Sequence, residues 1–158
     1  MSKKFNRALY VGGMDKEGSS WSRYKAIKKK CECVNVLEVR SSHSFFKKLE
    51  VRLFNSGTGK KDIQFRRLVE TEHYDLIWVD KPSMISTSCL SSVRESNPDT
   101  VFIAHITDDI KTMKIYAPEL VANLALFDKV FSCNKFNIEE FPEIPLIYNE
   151  LGFDHEHY

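Results

Sequence analysis

The sequence contains few of the residues that mark special classes of protein. It has only 6 glycines and 5 prolines among 158 residues, which argues against a collagen-like or low-complexity chain. No apolar run approaches the roughly 18–20 residues that span a bilayer. The apolar stretch 8–11 behind the basic N-terminus is too short for a secretory signal. We therefore expect a soluble, cytoplasmic domain.

Motifs of the common metal and nucleotide sites are also missing. The four cysteines stand at positions 31, 33, 89 and 133. The first two form a C-x-C pair with no second pair after it, unlike a zinc site, so we predict reduced thiols and no bound metal. There is no G-x-G-x-x-G or P-loop motif, no H-E-x-x-H motif and no G-x-S-x-G motif. These absences argue against a dinucleotide site, a zinc protease and an α/β-hydrolase.

The charge is balanced over the whole chain but not along it. The formal net charge is +1, yet residues 1–79 carry +8 and residues 80–158 carry −7. One interpretation is a set of solvated lysines on helix faces. The alternative is peripheral contact of the basic half with an anionic membrane, at its inner face, or with an acidic glycan. No nucleic-acid-binding motif is present, so no nucleic-acid partner is expected.

Short apolar runs alternate with amphipathic stretches along the chain. The predicted strands are 7–11, 33–38, 74–79, 100–104, 128–132 and 144–147. The predicted helices are 20–30, 44–54, 60–72, 84–95 and 118–126, with one further helical turn at 137–141. Nearly continuous apolar strands separated by helices are typical of a parallel sheet that is covered on both faces. The sequence therefore predicts a single α/β domain, Rossmann-like and three-layered, with a mostly parallel sheet.

Ligands of such sheets bind outside the carboxyl ends of the strands. The candidate ligand-binding loops are therefore 12–20, 39–44, 80–84 and 105–112. The first loop carries Gly12 and Gly13 and leads to Ser19 at a helix N-terminus. Glycines permit close approach of the backbone, and free N–H groups favour an anion or a hydroxyl-rich ligand. The alternative is a plain turn that needs a positive φ.

Two polar clusters follow other predicted strands. Asp80 and Lys81 could orient a substrate hydroxyl or accept its proton, or they could form a structural ion pair that caps the next helix. His105, Asp108 and Asp109 could act as acid–base groups, hold a divalent ion or stabilise a turn.

Several segments together resemble the N-terminal half of a GT-B glycosyltransferase, and the chain is most similar to the bacterial CgeB-like group. The segments are 8–13 (ALYVGG), 19–24 (SSWSRY), 74–81 (YDLIWVDK), 105–109 (HITDD), 128–132 (DKVFS), 137–141 (NIEEF) and 151–154 (LGFD). They cover nearly the whole chain in order. The resemblance implies a Rossmann-like domain over residues 1–148 and, over 149–158, the start of the crossing to a second domain.

The resemblance also implies a function. In such enzymes the N-terminal domain binds the acceptor, and the C-terminal domain binds the nucleotide-sugar donor without a bound metal. We therefore expect this chain to be the acceptor-binding half of an enzyme that transfers a sugar to a surface or cell-envelope glycan. It would be inactive without a donor-binding domain or partner subunit. The alternative is a non-enzymatic, receiver-like or regulatory α/β binding module.

The site residues expected from this resemblance fall into two groups. The candidates for contacting or deprotonating the acceptor hydroxyl are Asp80, Asp108 and Asp109. The candidates for binding the substrate are Gly12, Gly13, Ser19, Arg23, Lys81 and His105.

Overall fold

The computed structural model describes residues 5–39, 59–80 and 82–149. The predicted helix 44–54, Lys81 and all but the first residue of the segment 149–158 lie outside these ranges.

Six strands and six helices lie within the described residues, and at least one helix separates each two consecutive strands, as the sequence predicts. The strands are β1 (Phe5–Gly12), β2 (Cys31–Glu38), β3 (Leu76–Val79), β4 (Val101–Ile106), β5 (Lys129–Ser132) and β6 (Leu146–Tyr148). The helices are α1 (Ser19–Lys30), α2 (Lys60–Thr71), α3 (Thr87–Ser96), α4 (Ile110–Tyr116), α5 (Leu120–Leu124) and α6 (Phe136–Glu140). A 3₁₀ turn, Pro82–Met84, precedes α3.

All six strands pair in parallel in one sheet, in the order β2-β1-β3-β4-β5-β6. The predicted fold class, a Rossmann-like α/β layer, is confirmed. The strand order reverses at β1, whose two neighbours are β2 and β3. Chain connections leave the sheet in opposite directions at such a point, and this opens a crevice at the carboxyl edge.

Side chains on successive strand positions point to opposite faces, and each face has its own apolar core. On one face, Leu9 and Val11 of β1 belong to the larger core, which also holds Phe65 of α2, Leu90 of α3 and Leu124 of α5. On the other face, Ala8 and Tyr10 belong to a smaller core with Ile27 of α1. The same alternation directs Tyr10 and Gly12 of β1 to the α1 face, where the site described below is built.

Helix boundaries differ from the predictions after β3 and β4. The predicted helix 84–95 begins at Thr87, because Ser86 accepts a hydrogen bond from the backbone N of Cys89 and caps the helix there. Helix α4 (110–116) is not among the predicted helices, and its first residues fall in the predicted loop 105–112. Its N-cap is Asp109, whose carboxylate accepts from the backbone N of Lys111 at 2.9 Å. An aspartate before an apolar-periodic stretch is a helix-start signal, and the prediction missed it.

No helix within the described residues is long and apolar enough to cross a membrane.

Candidate functional site

A crevice of about 1160 Å³ opens at the carboxyl edge of the sheet, where the strand order reverses. We call it the carboxyl-edge crevice. It is lined by residues 13–20, Arg23, 38–39, Asp80, 82–84, 106–108, Met113 and Leu120. Five predicted site residues therefore meet in one place: Gly13, Ser19, Arg23, Asp80 and Asp108.

The floor of the crevice is organised around Asp80, which directly follows β3. Its side chain is 0% exposed and pairs with Arg23 of α1, whose Nη2 lies 2.9 Å from Oδ2. Arg23 Nε lies 3.0 Å from each carboxylate oxygen. Trp78 Nε1 donates to Oδ1 at 2.7 Å, and the Tyr10 hydroxyl lies 2.7 Å from Oδ2. The carboxylate is thus fully engaged, and its partner is the arginine of the first helix.

The surroundings of Asp80 keep it ionised. Burial would raise the pKa of the carboxyl group, but the Arg23 guanidinium and the hydrogen bonds from Tyr10 and Trp78 outweigh that effect and hold the pKa below its usual value. The pKa of Tyr10 is raised by burial and by the adjacent Asp80 charge. Removing one partner of a buried ion pair typically costs about 3–5 kcal/mol. Folding therefore requires both partners to be present, and the pair also shapes the crevice.

Arg23 offers the crevice one edge of its guanidinium. Its side chain is 19% exposed, and Nη2 also lies 3.3 Å from the hydroxyls of Ser19 and Ser20. Nε and Nη2 are committed to these contacts, whereas no described residue hydrogen-bonds to Nη1. The two N–H groups on Nη1 are available to an oxygen atom of a ligand.

The two glycines after β1 have different roles. A Cβ at Gly12 would lie 2.8 Å from Tyr10 Cε1, 2.9 Å from Tyr10 Oη and 3.0 Å from Asp80 Cβ. Close packing against Tyr10 and Asp80 therefore requires glycine at position 12. Gly12 itself is not among the described lining residues. A Cβ at Gly13 would meet nothing closer than Ser20 Oγ at 3.8 Å. Neither glycine has φ in the left-handed region, so the alternative of a turn that needs positive φ does not apply.

The structure separates the two adjacent aspartates. Asp109 is turned to its own helix: besides Lys111 N, it accepts from Thr112 Oγ1 at 3.1 Å. It is not among the described lining residues. Asp108 is exposed and lines the crevice. Its backbone carbonyl accepts from Asn137, and no described group hydrogen-bonds to its carboxylate.

His105 is buried next to Trp78 and is not one of the described residues that line the crevice. It is 2% exposed, its ring stacks on Trp78 with centroids 6.5 Å apart, and Nε2 lies 3.6 Å from Cys133 Sγ. Burial lowers the pKa of His105 to about 4, and the nearby Arg23 charge acts in the same direction. Nδ1 is buried without a described hydrogen-bond partner. His105 is therefore a neutral packing group near neutral pH.

Sequence reasoning missed several residues that shape the site. Tyr10 and Trp78 were interpreted only as apolar strand residues. The signal for them was available, since a period of two places Tyr10 on the face of Gly12 and Trp78 on the face of Asp80. Asn137, which holds the Asp108 backbone, gave no local signal.

The charges around the crevice are mostly negative. Arg23 and Asp80 neutralise one another, and the other ionisable groups among the described lining residues are Lys16 and four carboxylates. Those carboxylates belong to Asp15, Glu17, Glu38 and Asp108. A cleft lined by charges of one sign concentrates ligands of the opposite sign and repels its own. The described lining side chains therefore favour neutral or cationic ligands over polyanions.

The described residues contain no group of three His, Cys, Asp or Glu side chains placed to hold a metal ion. Compared with protein-family models, with curated proteins and with solved structures, the chain matches none.

Proposed function

We propose that this chain is the acceptor-binding domain of a GT-B-type glycosyltransferase, which transfers a sugar from a nucleotide-sugar to a surface or cell-envelope glycan. The observation that carries the proposal is the carboxyl-edge crevice. It offers hydroxyls on Ser19 and Ser20, together with the carboxylate of Asp108 and Nη1 of Arg23, to which no described residue hydrogen-bonds. Hydrogen-bond acceptors and donors of this kind suit a hydroxyl-rich ligand.

The charge of the crevice supports acceptor binding over donor binding. Basic groups supply most of the attraction for a nucleoside diphosphate, and the uncapped first turn of α1 at Ser19 and Ser20 adds only backbone N–H groups to the crevice. Among the described lining residues, the one arginine is paired with a buried carboxylate, and four further carboxylates line the crevice. The donor would accordingly be held by a second domain or subunit.

Asp108 and Asp80 have different roles in this proposal. Asp108 has an unengaged carboxylate, so in an inverting transfer it can accept the proton of the acceptor hydroxyl as that oxygen attacks the anomeric carbon. The bond from that carbon to the diphosphate then breaks, and the nucleoside diphosphate leaves. Asp80 is less suited to this task because its pKa is lowered and both of its oxygens are engaged. Its part is to hold Arg23.

A non-enzymatic α/β binding module is the second candidate, and the strand order favours it. The order β2-β1-β3-β4-β5 is also that of flavodoxin-like folds, which include receiver modules. In a receiver-like module the carboxylate after β3 would have to be open to its ligand. Asp80 stands at that position with a side chain that is 0% exposed, which argues against this candidate.

Titration of the ¹⁵N-labelled chain, followed by NMR, tests the proposal. The trisaccharide panel consists of maltotriose, cellotriose and triacetylchitotriose, and the comparison ligands are UDP-, GDP- and dTDP-sugars. We expect at least one trisaccharide to shift crevice resonances with a Kd near 1 mM, about −4 kcal/mol. Nucleotide-sugars should bind no more tightly than about 10 μM, roughly −7 kcal/mol.

Two variants with the same change of charge locate the binding. Asp108→Asn removes a crevice carboxylate and should weaken trisaccharide binding severalfold. Asp99→Asn removes an exposed carboxylate in the turn before β4, at the opposite edge of the sheet, and should leave binding unchanged. Absence of any crevice shift with the whole panel, or tight binding of a nucleotide-sugar, would contradict the proposal.

A further inference from the structure

One buried amide outside the crevice holds the wall that carries Asp108. Asn137 lies on α6 and is 1% exposed. Its Oδ1 accepts from the backbone N of Ile110 at 3.0 Å. Its Nδ2 donates to the backbone O of Asp108 and to Ser132 Oγ, each at 3.0 Å. Both N–H groups and the carbonyl of this amide are therefore engaged.

These three bonds join separate parts of the chain. Ser132 is the last residue of β5, Ile110 is the first residue of α4, and Asp108 belongs to the loop between β4 and α4. The Ser132 hydroxyl is itself fixed, because it donates to the backbone O of Asn134 at 3.0 Å and accepts from the backbone N of Asn134 at 3.2 Å. The amide thus connects the Asp108 loop to the end of strand β5.

The chemistry of the position requires an amide. The side chain must donate two hydrogen bonds and accept one, and asparagine does both. An ionised aspartate could only accept, and an apolar residue would leave buried backbone groups without partners.

We infer that Asn137 is a positioning residue for Asp108, an inference that rests on the proposed function of the crevice. Asp108 has no described hydrogen bond to its own carboxylate, so nothing in the described part of the chain directs that group except its backbone. The backbone is held at the Asp108 carbonyl by Nδ2 and two residues later, at Ile110, by Oδ1. The carboxylate is thereby presented to the crevice while remaining free to meet an acceptor hydroxyl.

A second buried asparagine provides a matched control. Asn123 of α5 is 2% exposed, and its Nδ2 donates to the backbone O of Pro82 at 3.1 Å and of Ile85 at 2.9 Å. It holds the backbone of the segment after β3, part of which lines the crevice. Loss of either amide should destabilise the fold similarly, but only loss of Asn137 should release Asp108.

The experiment compares Asn137→Ala with Asn123→Ala by thermal unfolding, ¹⁵N relaxation and titration with the trisaccharide panel. Rigid backbone has an order parameter near 0.85, and flexible backbone has one below about 0.6. We expect Asn137→Ala to lower the order parameters of residues 107–109 into the flexible range and to weaken trisaccharide binding about tenfold. Asn123→Ala should lower the melting temperature comparably while residues 107–109 stay rigid. If Asn137→Ala folds and these residues stay rigid, the inference is wrong.

Asn137→Asp keeps the experiment decisive if the alanine variant does not fold. It retains an acceptor for Ile110 N and loses both donors. The amide of Ile110 should then stay protected from hydrogen exchange while Asp108 becomes mobile, and equal rigidity at both residues would overturn the inference. If no trisaccharide binds the unmodified chain, the proposed function fails. The order parameters still decide whether Asn137 positions Asp108.

Discussion

At the scale of single residues, the site depends on the absence of a side chain at Gly12. The Tyr10 ring and the Asp80 side chain both approach this backbone to within the space that a Cβ would fill. The closeness brings the Tyr10 hydroxyl to its 2.7 Å contact with Asp80. A larger residue would have to displace two members of a buried hydrogen-bonded cluster, and neither can move independently of Arg23.

We expect Gly12→Ala to lower the free energy of unfolding by about 1–3 kcal/mol, the usual cost of overpacking a filled interior. Chemical denaturation measures the change. Gly13→Ala is the matched control, because its Cβ would lie in ordinary contact distance of Ser20, and it should change stability by less than about 0.5 kcal/mol. Equal effects of the two substitutions would show that the close approach at Gly12 has no energetic weight.

At the scale of elements, helix α4 decides which aspartate faces the crevice. An α-helix leaves its first backbone N–H groups without partners, and Asp109 and Asn137 supply acceptors for two of them. Asp109 is thereby turned into the helix start, and its neighbour Asp108 is left to the crevice. Two adjacent carboxylates of the same chemistry thus have separate tasks.

This division of tasks predicts opposite effects for the two aspartates. Asp109→Ala should destabilise the chain by about 1 kcal/mol, the typical cost of losing an N-cap, and should leave trisaccharide binding nearly unchanged. Asp108→Ala should change stability by less than about 0.5 kcal/mol and should weaken binding. Denaturation curves and the NMR titration of both variants measure these effects. If Asp109→Ala lost binding at unchanged stability, Asp109 and not Asp108 would be the residue that contacts the trisaccharide.

At the scale of the whole molecule, the buried polar cluster makes folding stability depend on pH. The unfolded chain protonates His105 as the pH falls through 6.5, whereas the folded chain does so only at about 4. Between these values the unfolded state binds more protons, so the free energy of unfolding decreases as the pH falls. Asp80 adds to the loss at still lower pH, because its pKa in the folded chain lies below the usual value.

We expect His105→Gln to remove the part of this dependence that lies between pH 4 and 6.5. One proton contributes a slope of at most about 1.4 kcal/mol per pH unit. Urea denaturation of the variant and the unmodified chain at half-unit pH intervals measures the difference. His73→Gln alters an exposed histidine and should leave the slope in place. If the His105 variant keeps the full slope, other groups carry it.

The sequence by itself determined the sheet and the edge at which a site could form. Strands and helices are specified by apolar periodicity over a few neighbouring residues, so β1, β3 and β4 were found close to their true bounds. Because parallel strands all end at one edge, the loops after them were correctly expected to meet, and Gly13, Arg23, Asp80 and Asp108 do line one crevice. The predicted catalytic roles at that edge stay predictions.

Only the tertiary structure decided what each of these residues contacts. Asp80 forms an ion pair with Arg23, 57 positions away, and accepts a hydrogen bond from Tyr10, 70 positions away. Asn137 reaches Asp108 across 29 positions. Hydrogen bonding and burial between such distant positions depend on how helices pack onto the sheet, and no local pattern encodes that packing. The two aspartates at 108 and 109 are equivalent in the sequence, and they became different only when helix α4 bound one carboxylate and the crevice received the other.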